Sequence, residues 1–300
     1  MEGKVDLLKG AAGIVTSLSQ EEKTSNIGVF IGEALGEDEK INNLMAQSKP
    51  EITILIGFVG YGKTSFVASC YQILLTEGKI GEYTFYDSDT LTGLERRLFL
   101  RRYSEKLKDV APAIKRTLRG EPHLLTFRFK HPQKGNKVVV ISDHSGEDYK
   151  GYVDTKVKLQ DDILLKYADR LIFFVDCENL TTPAKAMTLK HQYTSLITNM
   201  KEFSSFKDDA QIQFLFNKVD LTEGKEEAYQ QQKESFLEKM SEVLGETIKK
   251  EDCPEVISNQ TYNNKSISNI LLDIVDRTID GSFKKDSSVS DLDWVKHLFK

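Results

Sequence analysis

From Pro50 onward, short runs of β-branched and aromatic residues alternate with longer stretches of helical periodicity, the order expected of an α/β sheet covered by helices on both faces. Six runs read as strands: Ile52–Ile56, Leu124–Lys130, Lys137–Ser142, Arg170–Asp176, Ile212–Phe216 and Glu255–Ser258. The clearest helix is Ser266–Ile279, where Ile267, Ile270, Leu271, Ile274, Val275 and Ile279 form one apolar stripe that should close the sheet. The runs at 124–130 and 137–142 flank a short polar turn, Gln133 to Asn136, which predicts an antiparallel hairpin on an otherwise parallel sheet. Ahead of these elements, Leu7, Leu8, Ala11, Ala12, Val15 and Leu18 recur at helical spacing, followed by a polar break and the apolar segment Ile27–Leu35. That pattern predicts a two-helix arm over residues 1–50.

Composition narrows the class. The chain has 300 residues, of which 39% are hydrophobic and 29% charged, with 6 Pro and 19 Gly, the balance of a globular protein. A net charge of -5 lacks the footprint of a nucleic-acid binder. Cys70, Cys177 and Cys253 stand far apart without metal-ligand spacing, which fits free thiols in a reducing compartment. The longest apolar run, Ile52 to Val59, is too short to span a bilayer, and the N-terminus lacks the features of a secretory signal, so a cytoplasmic protein is expected.

Candidate chemistry begins directly after the first strand. Gly57-Phe58-Val59-Gly60-Tyr61-Gly62-Lys63-Thr64 matches G-x-x-x-x-G-K-[ST], and Ser65 to Leu75 continue as a helix. Gly57, Gly60, Tyr61, Gly62 and Ser65 form a loop and helix start whose backbone N–H groups can surround phosphate oxygens. Lys63 would reach the β and γ phosphates, and the Thr64 hydroxyl would coordinate Mg²⁺. Asp143, at the carboxyl end of a strand, can hold Mg²⁺ through water, and Gly146 three residues later offers a backbone N–H to the γ-phosphate. Ile212–Phe216 leads into Asn217-Lys218-Val219-Asp220. The Asp220 carboxylate can accept from guanine N1–H and N2, a donor pair adenine lacks; Asn217 would brace the loop and Lys218 cover the base face. Ser258 could offer backbone to the guanine oxygen. An ATP-dependent kinase or ATPase would require Asp220 to be coincidental.

Over roughly residues 50–280 these motifs resemble the TRAFAC-class, Ras-like P-loop GTPases. A narrower resemblance, to the bacterial double-GTPase family, runs through Gly57–Thr64, Ser88–Arg97, Arg116-Thr117, Ser142–Glu147, Ala168-Asp169-Arg170 and Val175-Asp176. Members of that family are assigned to conflict and defence systems from gene context. The resemblance implies a P-loop NTPase of Ras-like fold, with a mostly parallel six-stranded sheet flanked by helices. Lys63 and Asp143 are 80 residues apart, farther than in compact members of that fold, so a helical insertion at about 77–120 should separate the first helix from the second strand. Switch I should supply a threonine for Mg²⁺ and the γ-phosphate. Thr117 is the first choice and Thr90 the second. Arg116 could stabilise transition-state charge in cis, against a bland reading as a solvated residue. Arg96, Arg97, Arg101 and Arg102 form a basic cluster whose default is a solvated, salt-bridged helix face.

Glu147 stands where such enzymes usually carry a glutamine that orients water. Its charge would repel the γ-phosphate unless an arginine compensates, and His144, three residues before, could help, although such a residue is more often a turn histidine. Val59 stands where many members have glycine. Both departures predict slow hydrolysis. The expected protein is a cytoplasmic, Mg²⁺-dependent GTPase acting as a molecular switch with a protein effector or regulator. A GTP-binding scaffold without turnover is the alternative. The expected division is an arm at 1–50, a GTPase domain at 51–280 and a tail at 281–300.

Overall fold

The computed structural model describes residues 34–35, 44, 50–105, 124–155, 159, 162–203, 206–258 and 265–276, with the side chains of 100–105 and 163 outside the description. An eight-stranded mixed sheet organises them in the order β2-β3-β4-β5-β1-β6-β7-β8. The six strands expected from the apolar runs are present as β1 (Glu51–Ile56), β4 (Leu124–His131), β5 (Gly135–Ser142), β6 (Arg170–Asp176), β7 (Gln211–Asn217) and β8 (Glu255–Val256). Strands β5, β1, β6, β7 and β8 are mutually parallel. Every residue of β1 and β6 is buried, which requires cover on both faces of the sheet.

Two strands were not expected. β2 (Lys79–Ile80) and β3 (Tyr83–Asp87) form a hairpin that adds antiparallel to β4, so the sheet is mixed and eight-stranded, not mostly parallel and six-stranded. The segment taken as a helical insertion therefore starts with strands and only then turns into helix α2 (Leu91–Glu105). Its turn is a Gly81-Glu82 pair with Gly81 at φ 54, flanked by buried Ile80 and Tyr83.

The remaining helices are α1 (Lys63–Glu77), α3 (Gly146–Asp154), α4 (Cys177–Leu180), α5 (Pro183–Glu202), α6 (Glu226–Leu244) and α7 (Lys265–Asp276). α1 packs on α2 and α7, whereas α5 packs on α3, α4 and α6. Ile267, Ile270, Leu271, Ile274 and Val275 of α7 are all buried, as the apolar stripe predicts. Arg170, at the start of β6 and fully buried, donates to Gln213 Oε1 at 3.0 Å, to the Asp273 carboxylate and to Asp273 O at 3.0 Å, tying α7 to the sheet. Of the expected N-terminal arm, the described part includes Leu35, which exchanges backbone hydrogen bonds with Leu124 (2.9 and 3.1 Å), and buried Leu44. The rest of the arm and the 281–300 tail lie outside the described residues.

The loop from β3 to α2 is anchored to β4. Arg128 donates to Asp89 through Nε and one terminal nitrogen, both at 3.1 Å, and Thr126 Oγ1 accepts from Asp89 N at 2.8 Å. The pair is only partly shielded from water, so Asp89→Asn should cost about 1 kcal/mol in urea denaturation, with the melting slope unchanged.

Candidate nucleotide site

Because β1, β5, β6 and β7 run parallel, their carboxyl ends line one edge of the sheet and deliver Gly57, Asp143, Asp176 and Asn217 to it. The loop leaving β1 turns into α1 at Gly62, whose φ of 91 a side chain rarely adopts and whose Cβ would overlap the Asn217 amide. No side chain caps this helix start, and its first turn holds no acidic residue. The positive end of the helix therefore faces the loop, a setting for an anion. Lys63 is buried and folds back so that Nζ donates to Gly57 O at 2.5 Å and Phe58 O at 3.4 Å. Burial pushes its pKa down to about 8, against the pull of the Asp143 and Asp148 carboxylates.

Asp143 is fully buried at the end of β5. Its Oδ1 accepts from Thr64 Oγ1 at 2.9 Å and its Oδ2 accepts from Arg97 Nε at 2.9 Å. Arg97 corrects the expectation of a solvated basic face: it is 8% exposed, and a terminal nitrogen donates to Gly93 O at 3.1 Å within its own helix. A sequence signal for this existed, since Arg97 shares the face of α2 that carries buried Leu94 and Leu98. The side chains of Arg101 and Arg102 lie outside the described residues. The paired hydroxyl and carboxylate of Thr64 and Asp143 are hard oxygen donors, and with phosphate oxygens beside them they fit Mg²⁺.

Gly146 opens α3 directly against the phosphate loop; a Cβ there would overlap Val59 N and Phe58 C. Ser145 caps the helix by accepting from Glu147 N at 3.3 Å, and the Glu147 side chain is exposed. His144 is buried, and burial followed by the Lys63 charge lowers its pKa to about 3. Its contact with Asp162 Oδ2 at 3.6 Å is therefore not an ion pair at neutral pH. A neutral imidazole cannot offset the Glu147 charge, which removes the help expected of it.

Asn217 ties three loops together. Its Nδ2 donates to Tyr61 O at 2.9 Å and its Oδ1 accepts from Ser258 N at 3.0 Å, while Ser258 O accepts from Ser69 Oγ at 2.8 Å. Both backbone groups of Ser258 are thus engaged in bracing. Lys218 adopts φ 64, and its Nζ donates to Asp176 Oδ2 at 2.5 Å. Asp176 sits beside Asn217 in the β6–β7 register and caps α4 by accepting from Glu178 N at 3.0 Å. The resemblance includes Val175-Asp176 but gives Asp176 no role; its place beside Asn217 and Lys218 comes from the structure. Asp220 is exposed in the turn Val219–Thr222. Tyr61 Oη accepts from Asn179 Nδ2 at 3.4 Å, and burial raises its pKa to about 12.

Two expected residues are not placed: Thr117 and Arg116 lie outside the described residues. The second-choice threonine, Thr90, is fully buried with Oγ1 accepting from Thr126 N at 2.9 Å and 3.2 Å from Ser88 Oγ. That hydroxyl holds the start of α2 on β4. Among the described residues no helix is long and apolar enough to cross a membrane. A protein-family model described as Double-GTPase 2 matches residues 52–271, nearly the whole sheet and its helices. A comparison with curated proteins finds no match.

Proposed function

Because the chain belongs to the Double-GTPase 2 family, whose domain implies guanine-nucleotide binding, we propose that it is a Mg²⁺-dependent GTPase that hydrolyses GTP to GDP and phosphate and acts as a molecular switch. The observation that supports this most is the Asn217 brace, which holds the phosphate loop and the Asn-Lys-x-Asp loop in one rigid unit. In this reading the N–H groups of Gly57, Gly60, Tyr61, Gly62 and Ser65 surround the phosphates and Lys63 turns from Gly57 O to a phosphate oxygen. Thr64 and Asp143, with Thr117, hold Mg²⁺, which when bound would neutralise charge on the β and γ phosphates. Gly146 senses the γ-phosphate through its N–H. Asp220 accepts from the guanine edge, with Lys218 over the base. Glu147 positions the attacking water and Arg116 stabilises transition-state charge in cis.

The reading extends to a helical arm at 1–50, a GTPase domain at 51–280 and a tail at 281–300, in a cytoplasmic protein with an effector or regulator, in a bacterial conflict or defence system. A second reading, GTP binding without turnover, is favoured by the exposed Glu147 and by Val59, 45% exposed beside Gly146, where it would obstruct an incoming arginine. The deciding experiment titrates purified protein with GTP, GDP and ATP in Mg²⁺ and follows phosphate release over hours, with Lys63→Ala as control. Guanine-selective binding with Lys63-dependent release supports the switch, guanine binding without release supports the scaffold, and ATP preference overturns both. Asp220→Asn should reduce the guanine preference by roughly tenfold to a hundredfold, read as the ratio of GDP to ADP affinity.

A further inference from the structure

We infer that Arg97 is a positioning residue that holds Asp143 while no divalent ion is bound and releases it when one binds, so that helix α2 follows the loading state of the site. The inference rests on the Mg²⁺ site proposed above. A fully buried carboxylate needs a compensating cation. Lys63 is near, but its Nζ is turned to the carbonyls of Gly57 and Phe58. Arg97 bonds the carboxylate itself, at 2.9 Å. Its grip is single-pointed: Nε takes Oδ2 while a terminal nitrogen goes to Gly93 O, so the bidentate fork that makes arginine–carboxylate pairs strong is not formed. A divalent charge sharing Asp143 and Thr64 would repel the guanidinium across a few ångströms of buried space.

Arg97 cannot respond without its helix. The Gly93 bond ties the guanidinium to the turn before it, and Leu94 and Leu98 are packed in the core on either side. Other bonds also hold α2: Tyr71 Oη donates to Glu95 Oε1 at 2.8 Å, and the Ser88, Thr90 and Thr126 hydroxyls fix its first turn to β4. Loss of the Arg97–Asp143 bond therefore loosens the middle of α2 while its start stays in place.

The test uses the full chain loaded with a fluorescent GDP analogue. GDP retention is followed against Mg²⁺ concentration, and amide hydrogen exchange across 91–105 is compared in Mg²⁺ and in chelator. Removing the competing charge with Arg97→Gln should lower the Mg²⁺ concentration for half-retention by about three- to tenfold, and Arg97→Lys should restore the wild-type value. In an Asp143→Asn background the effect of Arg97→Gln should vanish. Wild-type amides in 91–105 should exchange faster with Mg²⁺ than in chelator. An unmoved or raised Mg²⁺ midpoint in Arg97→Gln, with wild-type GDP retention intact, overturns this inference alone. Wild-type protein that retains no guanine nucleotide at any Mg²⁺ overturns the GTPase reading and this inference with it. Should Arg97→Gln fail to fold, the wild-type exchange difference decides: equal exchange in both conditions overturns the inference.

Discussion

Asn217→Ala should destabilise the nucleotide-free protein by about 3 kcal/mol and weaken GDP binding at least a hundredfold. Asn217 is 1% exposed and its side chain makes two hydrogen bonds, so truncation removes the donor to Tyr61 O and the acceptor of Ser258 N in a region closed to water. Orphaned buried groups of this kind each cost about 1–3 kcal/mol, more than the net worth of the bonds themselves. The loss in affinity follows because the phosphate loop and the base loop would no longer be fixed at one spacing. Asn217→Asp should do no better: it keeps the acceptor for Ser258 N but sets a carboxylate oxygen against Tyr61 O. Urea denaturation and titration with fluorescent GDP measure the two effects. Gly62→Ala should give the same pair of losses from the other side, by driving a methyl group into the Asn217 amide.

Lys63→Met should stabilise the nucleotide-free, metal-free protein at pH 7 by about 1–2 kcal/mol while abolishing nucleotide binding. The lysine has a pKa of about 8 in the folded chain against an ordinary 10.5, a difference that corresponds to a penalty of about 3 kcal/mol wherever both states are protonated. Methionine removes that penalty but leaves Gly57 O and Phe58 O without their donor, which offsets part of the gain. The sign of the pH dependence follows from the same numbers. Between about pH 8 and 10.5 the unfolded chain binds the proton that the folded chain has lost, so wild-type stability should rise with pH relative to Lys63→Met. Chemical denaturation of both proteins in chelator at pH 7 and pH 9.5 checks it. The prediction fails if the difference between the two proteins is the same at both pH values.

The central sheet was legible because its strands are buried on both faces and so appear as dense apolar runs. β1, with Ile52, Ile54, Leu55 and Ile56, and β6, with Leu171 to Val175, are examples. β3 escaped for the opposite reason: in Tyr-Thr-Phe-Tyr-Asp only Tyr83 is deeply buried and Tyr86 is half exposed, so a short, largely exposed strand resembles a loop. The phosphate loop was legible because its spacing is local. Arg97 was not, because its partner lies 46 residues away and its neighbours Arg96, Arg101 and Arg102 make it look like one of a solvated set. Asp176 was hidden similarly: only the pairing of β6 with β7 places it beside Asn217 and within reach of Lys218. Contacts made through strand register are invisible to a reading that moves along one chain.

The two outermost strands, Lys79–Ile80 and Glu255–Val256, are each two residues long. A rim that short offers one or two backbone pairs to another chain, too few to template a further strand. Among the described residues, strand addition at these two rims would therefore have to reach past them to the uncovered parts of β3 and β7. The short rims act as end caps that cover only one end of each neighbouring strand, Tyr83-Thr84 on one side of the sheet and Phe216-Asn217 on the other.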